Sequence, residues 1–347
     1  MRKVFVAMSG GVDSSVAAAL LREGYDCEGV FMVTHDGAGA HQADAERVAE
    51  TLGIRLHVLD LRDRFGAIIG YFCDEYARGR TPNPCVLCNR EVKFGLVLEY
   101  ARSKGADFLA TGHYARLTAA GPETMLCEAL DETKDQSYVL AMVRREALRH
   151  VLLPMGAYRK SQTRAMAAQL GIHVENKADS QEICFIPDND RVGFMERHRP
   201  GIGRQGRVVD AGGRVLGEHG GIYRYTIGQR RGVRVAMGKP AYVVGLDAAT
   251  NTVVLGAGEE LLSTGLKASG VNWLIDEPQG TIEAWVKIRY NHRGCEASVR
   301  PDGSGRVRAD FAAPAPAVTP GQTAVFYVRC SEGLRVAGGG WIDEAVR

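Results

Sequence analysis

Two hydrophobic periodicities share this chain, and one gives way to the other near residue 197. In the first part, short continuous apolar runs alternate with segments whose apolar residues recur every three or four positions, the patterns of buried strands and amphipathic helices. KVFVAM (from Lys3) reads as a buried strand, and DSSVAAALLREG (from Asp13) as a helix with Gly24 in the left-handed position past its end. CEGVFMV is a second strand, QADAERVAETLG a second helix stopping at Gly53, and RLHVLDL a third strand. RFGAIIGYFCDEYARG then sets Phe65, Ile68, Ile69, Phe72 and Tyr76 at helical spacing. REVKFGLVLEYARSKG predicts a helix from about Arg90, DFLATGHYA a strand, SQTRAMAAQLG a helix, and DSQEICFI a short strand-like run. The alternation predicts an α/β domain with a doubly wound parallel sheet over residues 1–197.

Beyond Phe194 the pattern changes. HRPGIGRQGRVVDAGGRVLGEHGGIYRYTIGQRRG is rich in Gly and Arg, with short β-like runs and no convincing helix. From Ala268, IEAWVKIRY, CEASVRPDGSGRVRADF and QTAVFYVRC alternate with turn signals, PDGSG reading as a hairpin turn. This predicts a small, mostly β central domain over 198–267 and a C-terminal antiparallel, barrel-like domain over 268–347.

Composition alters this picture little. A chain of 347 residues, 45% hydrophobic and 24% charged, is an ordinary globular protein too long for one small core. Its net charge of +2 gives no global reason to expect nucleic acid. Locally there is one: residues 199–347 carry a net +5 and residues 1–198 a net −3. From His219 to Leu246 the chain holds Arg224, Arg230, Arg231, Arg234 and Lys239 and no acid, interleaved with Tyr223, Tyr225 and Tyr242. Cations there can neutralise phosphates and aromatics can stack unpaired bases, although a plain solvated basic surface has the same composition. No apolar run is long enough to span a bilayer or serve as a signal core, so a cytoplasmic protein with reduced thiols is expected. Of eight cysteines, Cys27, Cys73, Cys127, Cys295 and Cys330 are expected to be small buried hydrophobes.

The sharpest local signal is MSGGVDSS, Met8–Ser15, between the first strand and the first helix. Gly10 and Gly11 let backbone N–H groups approach phosphates, and Ser9, Ser14 and Ser15 add hydroxyls. The helix N-terminus favours anions, and Asp13 is placed to help hold Mg2+. With no Gly-Lys-Ser/Thr after it, this is not a Walker A loop. It resembles the pyrophosphate loop of ATP pyrophosphatases, which adenylate an oxygen and release pyrophosphate.

TPNPCVLCNR raises a second question, because C-x-x-C fits half a zinc site, a redox pair, iron–sulfur ligands or a nucleophile with a companion. No second pair stands at zinc-finger spacing. NPCVLCNREVKF, TGHYAR, KDQSYVL, DSQEICFI and YTIGQRRG, followed by VKIRY and PGQTAVFY, occur in this order. Together with the first loop they resemble the tRNA-specific 2-thiouridylase family over nearly the whole chain. The resemblance implies ATP-dependent conversion of the wobble uridine of tRNA to 2-thiouridine. It implies ATP contacts at Ala7, Met8, Ser9, Gly10, Gly11, Val12, Asp13, Ser14, Met32 and Gly112, with Cys184 as persulfide carrier and Cys88 as its partner nucleophile. Asn83, Pro84 and Cys85 would flank the target base. His113, Lys134, Asp135, Gln136, Arg289, Tyr290 and Gln322 would contact tRNA, and a sulfur-relay protein or cysteine desulfurase would supply the sulfur. Some members carry Asp where Cys85 stands. Cys85, Cys88 and Cys184 could therefore instead ligate a [4Fe-4S] cluster, and the residues leave both mechanisms open. Both catalytic thiols are expected in surroundings that lower their pKa, Cys88 by lying just before a helix with Lys93 one turn in. One segment departs from the family: VTHDGAGA, after Met32, is shorter than the acidic loop common there, so no partner contact is carried over to it.

Overall fold

The computed structural model describes every residue except 122, 172–182, 187, 234 and 236–239. The first layer is a five-stranded parallel sheet in the order β3-β2-β1-β4-β7. Its strands are β1 (Lys3–Ala7), β2 (Asp26–Val33), β3 (Leu56–Asp60), β4 (Phe108–Thr111) and β7 (Val151–Leu152). The expected doubly wound architecture is present. The chain runs outward from β1 through β2 to β3, then returns to β4 on the other side of β1. That reversal puts a crevice at the carboxyl ends of β1 and β4, where open α/β sheets take ligands. Helices α1 (Val12–Arg22), α2 (Gly39–Leu52) and α3 (Arg62–Ala77) connect the strands. Phe65, Ile68 and Phe72 of α3 are buried with Phe5 and Leu109 of the sheet.

Three local expectations change. Gly53 caps α2 at φ +63°, but Gly24 is not left-handed: α1 ends at Arg22, and the N–H groups of Gly24 and Tyr25 both donate to Leu21 O on the way into β2. The helix expected from Arg90 begins earlier. It opens as α4 (Pro84–Leu87), widens into a π-helical stretch over Cys88–Val97, and finishes as α5 (Leu98–Ser103). The described end of the DSQEICFI run, from Ile183, is a turn closed by Ile186 N–H onto Ile183 O (2.8 Å) and not a strand; its first four residues lie outside the described set.

A hairpin that the hydrophobic pattern does not announce, β5 (Arg116–Ala120) and β6 (Glu123–Cys127), leaves the first domain and joins the C-terminal sheet. Short helices α6 (Ser137–Leu140) and α7 (Arg145–Leu148), then α8 (Lys160–Gln169) and an unexpected α9 (Arg191–His198), complete the helical part. The central domain is a four-stranded sheet, β10-β11-β8-β9, made of β8 (Gly206–Asp210), β9 (Val215–His219), β10 (Tyr242–Asp247) and β11 (Thr252–Gly256). Val208, Val243, Val253 and Leu255 give it a small core of its own.

The C-terminal strands are β12 (Leu262–Trp273), β13 (Ile282–Lys287), β14 (Cys295–Pro301), β15 (Val307–Pro316), β16 (Thr323–Cys330) and β17 (Gly333–Val346). They run in the order β12-β15-β14-β13-β16-β17, and a β12–β17 pairing closes them into an antiparallel barrel without free edges. PDGSG turns as expected, with Gly303, Ser304 and Gly305 all at positive φ. Val325, Tyr327 and Val336 of the barrel pack in one core with Tyr138, Leu140 and Leu126 of the first domain. Asn272 Nδ2 donates to Ala141 O (2.9 Å) and Val143 O (2.8 Å). The barrel is therefore docked directly beside the helix that carries the C-x-x-C pair. Among the described residues, no helix is long and apolar enough to cross a membrane.

Candidate active site between the sheet and the barrel

The loop after β1 is shaped by close contacts. Gly10 sits at φ +68°, and a Cβ there would lie 2.5 Å from His41 O and 2.8 Å from Asp44 Cβ, so only glycine fits. Gly11 is the N-cap of α1 and offers no side-chain cap, which leaves the first N–H groups of the helix to another acceptor. Ala7, Met8 and Val12 are buried, so they present backbone to the loop. Ser9 and Ser14 hydroxyls lie 3.2 Å apart, and Ser9 N–H donates to Ser14 Oγ (3.1 Å). Ser15, by contrast, is fully buried and donates its hydroxyl to Gly11 O (2.8 Å), a structural bond and not a phosphate contact. Gly112, just past β4, closes the crevice: a Cβ on it would stand 2.7 Å from Asp13 C and Ser14 N. Met32, half-buried near the end of β2, pairs with Leu59 of β3.

Two residues absent from the sequence-based set complete this site. Lys160, at the start of α8, places its ammonium 2.7 and 2.8 Å from the two Asp13 carboxylate oxygens. Tyr114 brings its hydroxyl to 2.8 Å from Asp13 Oδ1 and 2.9 Å from Thr163 Oγ1. A lysine on the first turn of a helix opposes the helix dipole, and that mismatch is the signal by which Lys160 could have been found.

The cysteine site is assembled from farther apart. Asn83 caps α4 by accepting Val86 N–H (3.4 Å), Pro84 fills the first helical position, and fully buried Val86 anchors the turn. Cys85, rather than Cys88, thus occupies the helix start; Cys88 stands a turn further in, where the π-helical stretch begins. Cys184 arrives on the Ile183–Ile186 turn, held by the buried ring of Phe185 edge-on to Phe65 (5.7 Å) and Phe72 (5.4 Å) of α3. Cys85 and Cys184 are exposed and Cys88 half-buried, all three as free thiols.

Electrostatics corrects the expectation of activated thiols. Burial of the recess raises the pKa of each, opposed by the Lys93 ammonium, and Cys184 is pushed up to about 12. Charge on Cys88 or Cys85 raises Cys184 further, so these sulfurs, far apart in sequence, lie within electrostatic reach of one another. Water reaches Cys85 and Cys184, but protein surrounds the recess closely enough that desolvation outweighs the cation. His113 is held neutral, far below the usual histidine range, by burial and by Lys93. It packs on Phe94 (6.1 Å) and lies 2.7 Å from Thr111 Oγ1. Of the dipeptide Gly112–His113, the first residue thus packs on the phosphate loop and the second lies near Lys93, the cation that the three thiols feel.

The expected tRNA residues divide into two groups. Tyr290 is exposed, 6.1 Å from the Tyr138 ring and close enough to Cys85 to sense its charge. It lines a cleft of about 1190 Å³ with Asp135, Tyr138, Lys287 and Arg293. Arg289 donates to Pro316 O (3.3 Å). Asp135 and Gln136 face inward: Asp135 accepts from Ala129 N–H, Ser137 N–H and Ser137 Oγ, and Gln136 Oε1 accepts Tyr114 N–H (2.9 Å). They shape the loop on which Lys134 sits. Gln322 also turns inward, onto Thr81 and Pro82.

In the basic segment, Arg230 and Arg231 are exposed, whereas Arg224 pairs with Glu196. Tyr223 and Tyr225 are buried, Tyr223 bonding Glu196 (2.5 Å), which removes them as base-stacking platforms. Arg234 and Lys239 lie outside the described residues. Among the other cysteines, Cys27, Cys73 and Cys127 are buried as expected, but Cys295 and Cys330 are only half-buried.

Comparison with known proteins gives the family. Residues 2–188 match the family of the tRNA methyl transferase HUP domain, 193–257 its PRC-barrel domain and 263–342 the aminomethyltransferase beta-barrel domain. The tRNA-specific 2-thiouridylase MnmA of Syntrophotalea carbinolica is 46% identical over 98% of both chains. That of Geobacter metallireducens is 46% identical over 99% of this chain and 98% of its own. A solved structure, the U34-tRNA thiolase NcsA from Methanococcus maripaludis with its [4Fe-4S] cluster, is 18% identical over 58% of this chain and 68% of that one. Its TM-score of 0.36 is too low for the cluster to say anything about these cysteines. With more than half the chain inside one family domain and near-complete coverage by relatives at this identity, the chain belongs to the tRNA-specific 2-thiouridylase family.

Proposed function

We propose that this protein is a tRNA-uridine 2-sulfurtransferase acting on the wobble uridine, position 34, of tRNA. The observation that supports the reading is that consecutive residues, Gly112 and His113, meet the loop after β1 and the Lys93 cation that acts on Cys85, Cys88 and Cys184. In this reading an oxygen activated at the loop is handed to sulfur at the cysteines.

In this reading Ala7–Ser14 hold the phosphates of ATP, with Met32 and Gly112 at its adenosine, and Asp13 helps hold Mg2+ between phosphates. The C2 oxygen of uracil attacks the α-phosphate and pyrophosphate leaves. Cys184 carries a persulfide from a sulfur-relay protein or cysteine desulfurase. Its terminal sulfur attacks C2, AMP departs with the oxygen, and Cys184 Sγ is joined to the base through sulfur. The Cys88 thiolate then attacks Cys184 Sγ, which releases 2-thiouridine and leaves a Cys88–Cys184 disulfide for a cellular dithiol to reduce. Burial keeps the resting thiols protonated, and bound substrate shifts the balance toward the thiolates that Lys93 stabilises. Asn83, Pro84 and Cys85 border the flipped base, Tyr290 offers it a stacking face, and Lys134, Arg289, Arg230 and Arg231 meet tRNA phosphates.

A [4Fe-4S] cluster on Cys85, Cys88 and Cys184 is the second reading. Their three thiolates would supply three ligands and leave one iron open to bind sulfide, and no step is routed through a cluster. The test is anaerobic purification with iron and sulfide analysis, followed by thiolation of a wobble-uridine tRNA with a persulfide donor or with free sulfide. Iron-free protein that uses the persulfide donor supports the proposal; iron-dependent thiolation from sulfide overturns it.

A further inference from the structure

The segment that leads into the cysteine helix is held by the barrel, at Thr81 and Pro82 through its backbone and at Arg80 through its side chain. Gln322 Nε2 donates to Thr81 O (2.9 Å) and Pro82 O (3.3 Å), so one amide group spans two successive carbonyls. Thr81 N–H donates to Pro320 O (2.8 Å), and Arg80 Nη2 to Ile342 O (3.2 Å). Gly321, at φ +90°, approaches so closely that a Cβ would lie 3.0 Å from both Thr81 N and Thr81 O. The corner is itself pinned to β17 by Gly321 N–H to Ile342 O (2.9 Å) and Ile342 N–H to Gln322 O (2.8 Å). Thr81 Oγ1 and Thr323 Oγ1 are buried without a partner among the described residues, so no hydroxyl backs up the Gln322 amide.

One residue later the cysteine helix begins. Asn83 is its cap, Pro84 its first residue, and Cys85 and Cys88 follow within the same turns. A shift of Thr81–Pro82 therefore re-aims the whole helix start toward or away from Cys184. With both amide protons committed to main-chain carbonyls, Gln322 has no donor left to offer RNA.

We propose that Gln322 is a positioning residue: it fixes Thr81–Pro82 so that Cys85 and Cys88 face Cys184, and through it the barrel sets the reactive geometry of the first domain. The proposal rests on the thiolation reading, but its central readout does not. Diamide takes the two thiol hydrogens of Cys88 and Cys184 as the disulfide forms, so its rate, followed by peptide mapping without tRNA, reports their mutual aim directly. Gln322→Met keeps the shape and removes both donors; Gln322→Lys keeps a donor.

The expected result for Gln322→Met is tRNA affinity within about twofold of wild type, thiolation kcat at saturating tRNA down roughly tenfold, and the diamide-driven rate changed at least about threefold. Gln322→Lys is expected to stay closer to wild type in the diamide rate. A Gln322→Met protein with weakened tRNA binding but wild-type kcat and disulfide rate would make Gln322 a tRNA contact and overturn the proposal. Wild-type behaviour in all three measurements would overturn it too. If Gln322→Met fails to fold, Gln322→Lys alone decides, since a folded Lys variant with a disturbed disulfide rate contradicts a role for the donor. If wild-type protein does not thiolate tRNA, the functional reading fails while the diamide rates still judge the positioning role.

Discussion

The phosphate loop and the cysteine recess are neighbours built in opposite ways. The loop is one continuous stretch whose shape follows from two glycines and a helix start, and its groups point to a ligand before any ligand arrives. The recess takes its sulfurs from a helix and a distant turn, its cation from the π-helical stretch and its neutral histidine from the end of β4. The first site is preorganised for binding. The second is preorganised in position but not in charge, because desolvation keeps its thiols protonated. A nucleophile kept neutral until its substrate is present is shielded from stray oxidants and alkylating agents, whereas a phosphate loop needs no such restraint.

The comparison breaks most cleanly at the sulfurs. Cys88→Ser and Cys184→Ser are each expected to lower thiolation by at least about a thousandfold while ATP binding, measured by equilibrium dialysis, stays unchanged. Retained thiolation in either variant removes that cysteine from the mechanism.

The complementary cut is Gly112→Ala, whose new Cβ must push on Asp13 and Ser14 backbone. ATP affinity and adenylation should fall together by roughly a hundredfold, with iodoacetamide labelling of Cys184 at the wild-type rate. Equal damage to both would mean that the two sites are not separable.

A smaller effect is expected at Lys160→Met, which removes the ammonium on Asp13. The KM for ATP should rise about tenfold with kcat less affected, as measured by pyrophosphate release. An unchanged KM would leave the lysine a purely structural ion pair.

Lys93→Met gives the mildest and most diagnostic change. Lys93 lowers the pKa of all three thiols, so its loss raises them further. At neutral pH the thiolate fraction and the labelling of Cys184 should drop several-fold, and raising the pH should restore both. A pH profile that does not move toward alkaline values would show that the cation is not felt at the sulfurs.

The same contrast explains what could be read in advance. MSGGVDSS carried its signal locally, so its position between β1 and α1 and the need for Gly10 were legible. Only Lys160 and Tyr114, brought in from other elements, were missed. In the recess, the residue types were legible through the ordered motifs, but their state was not. Cys88 looked like the residue ahead of a helix, yet the chain enters the helix at Pro84 because Asn83 and Pro84 supply a cap and a first turn. Tyr223 and Tyr225 looked like stacking platforms until the fold buried the first in the core of the α/β domain and the second in that of the central sheet. The β5–β6 hairpin gave no warning of joining the barrel, since edge pairing with a strand far along the chain leaves no mark in local periodicity.

The sequence by itself determined the parallel α/β domain, the change to β structure after it, and the glycine loop between the first strand and the first helix. These depend on side-chain spacing and backbone conformation over a few residues, quantities written along the chain. Only the tertiary structure decided that Asp13 is held by Lys160, that the barrel grips Thr81 and Pro82, and that burial raises the pKa of Cys85, Cys88 and Cys184 against the pull of Lys93. Each of these depends on distance and on exclusion of water between segments far apart in sequence, and burial, unlike periodicity, exists only once the chain has folded.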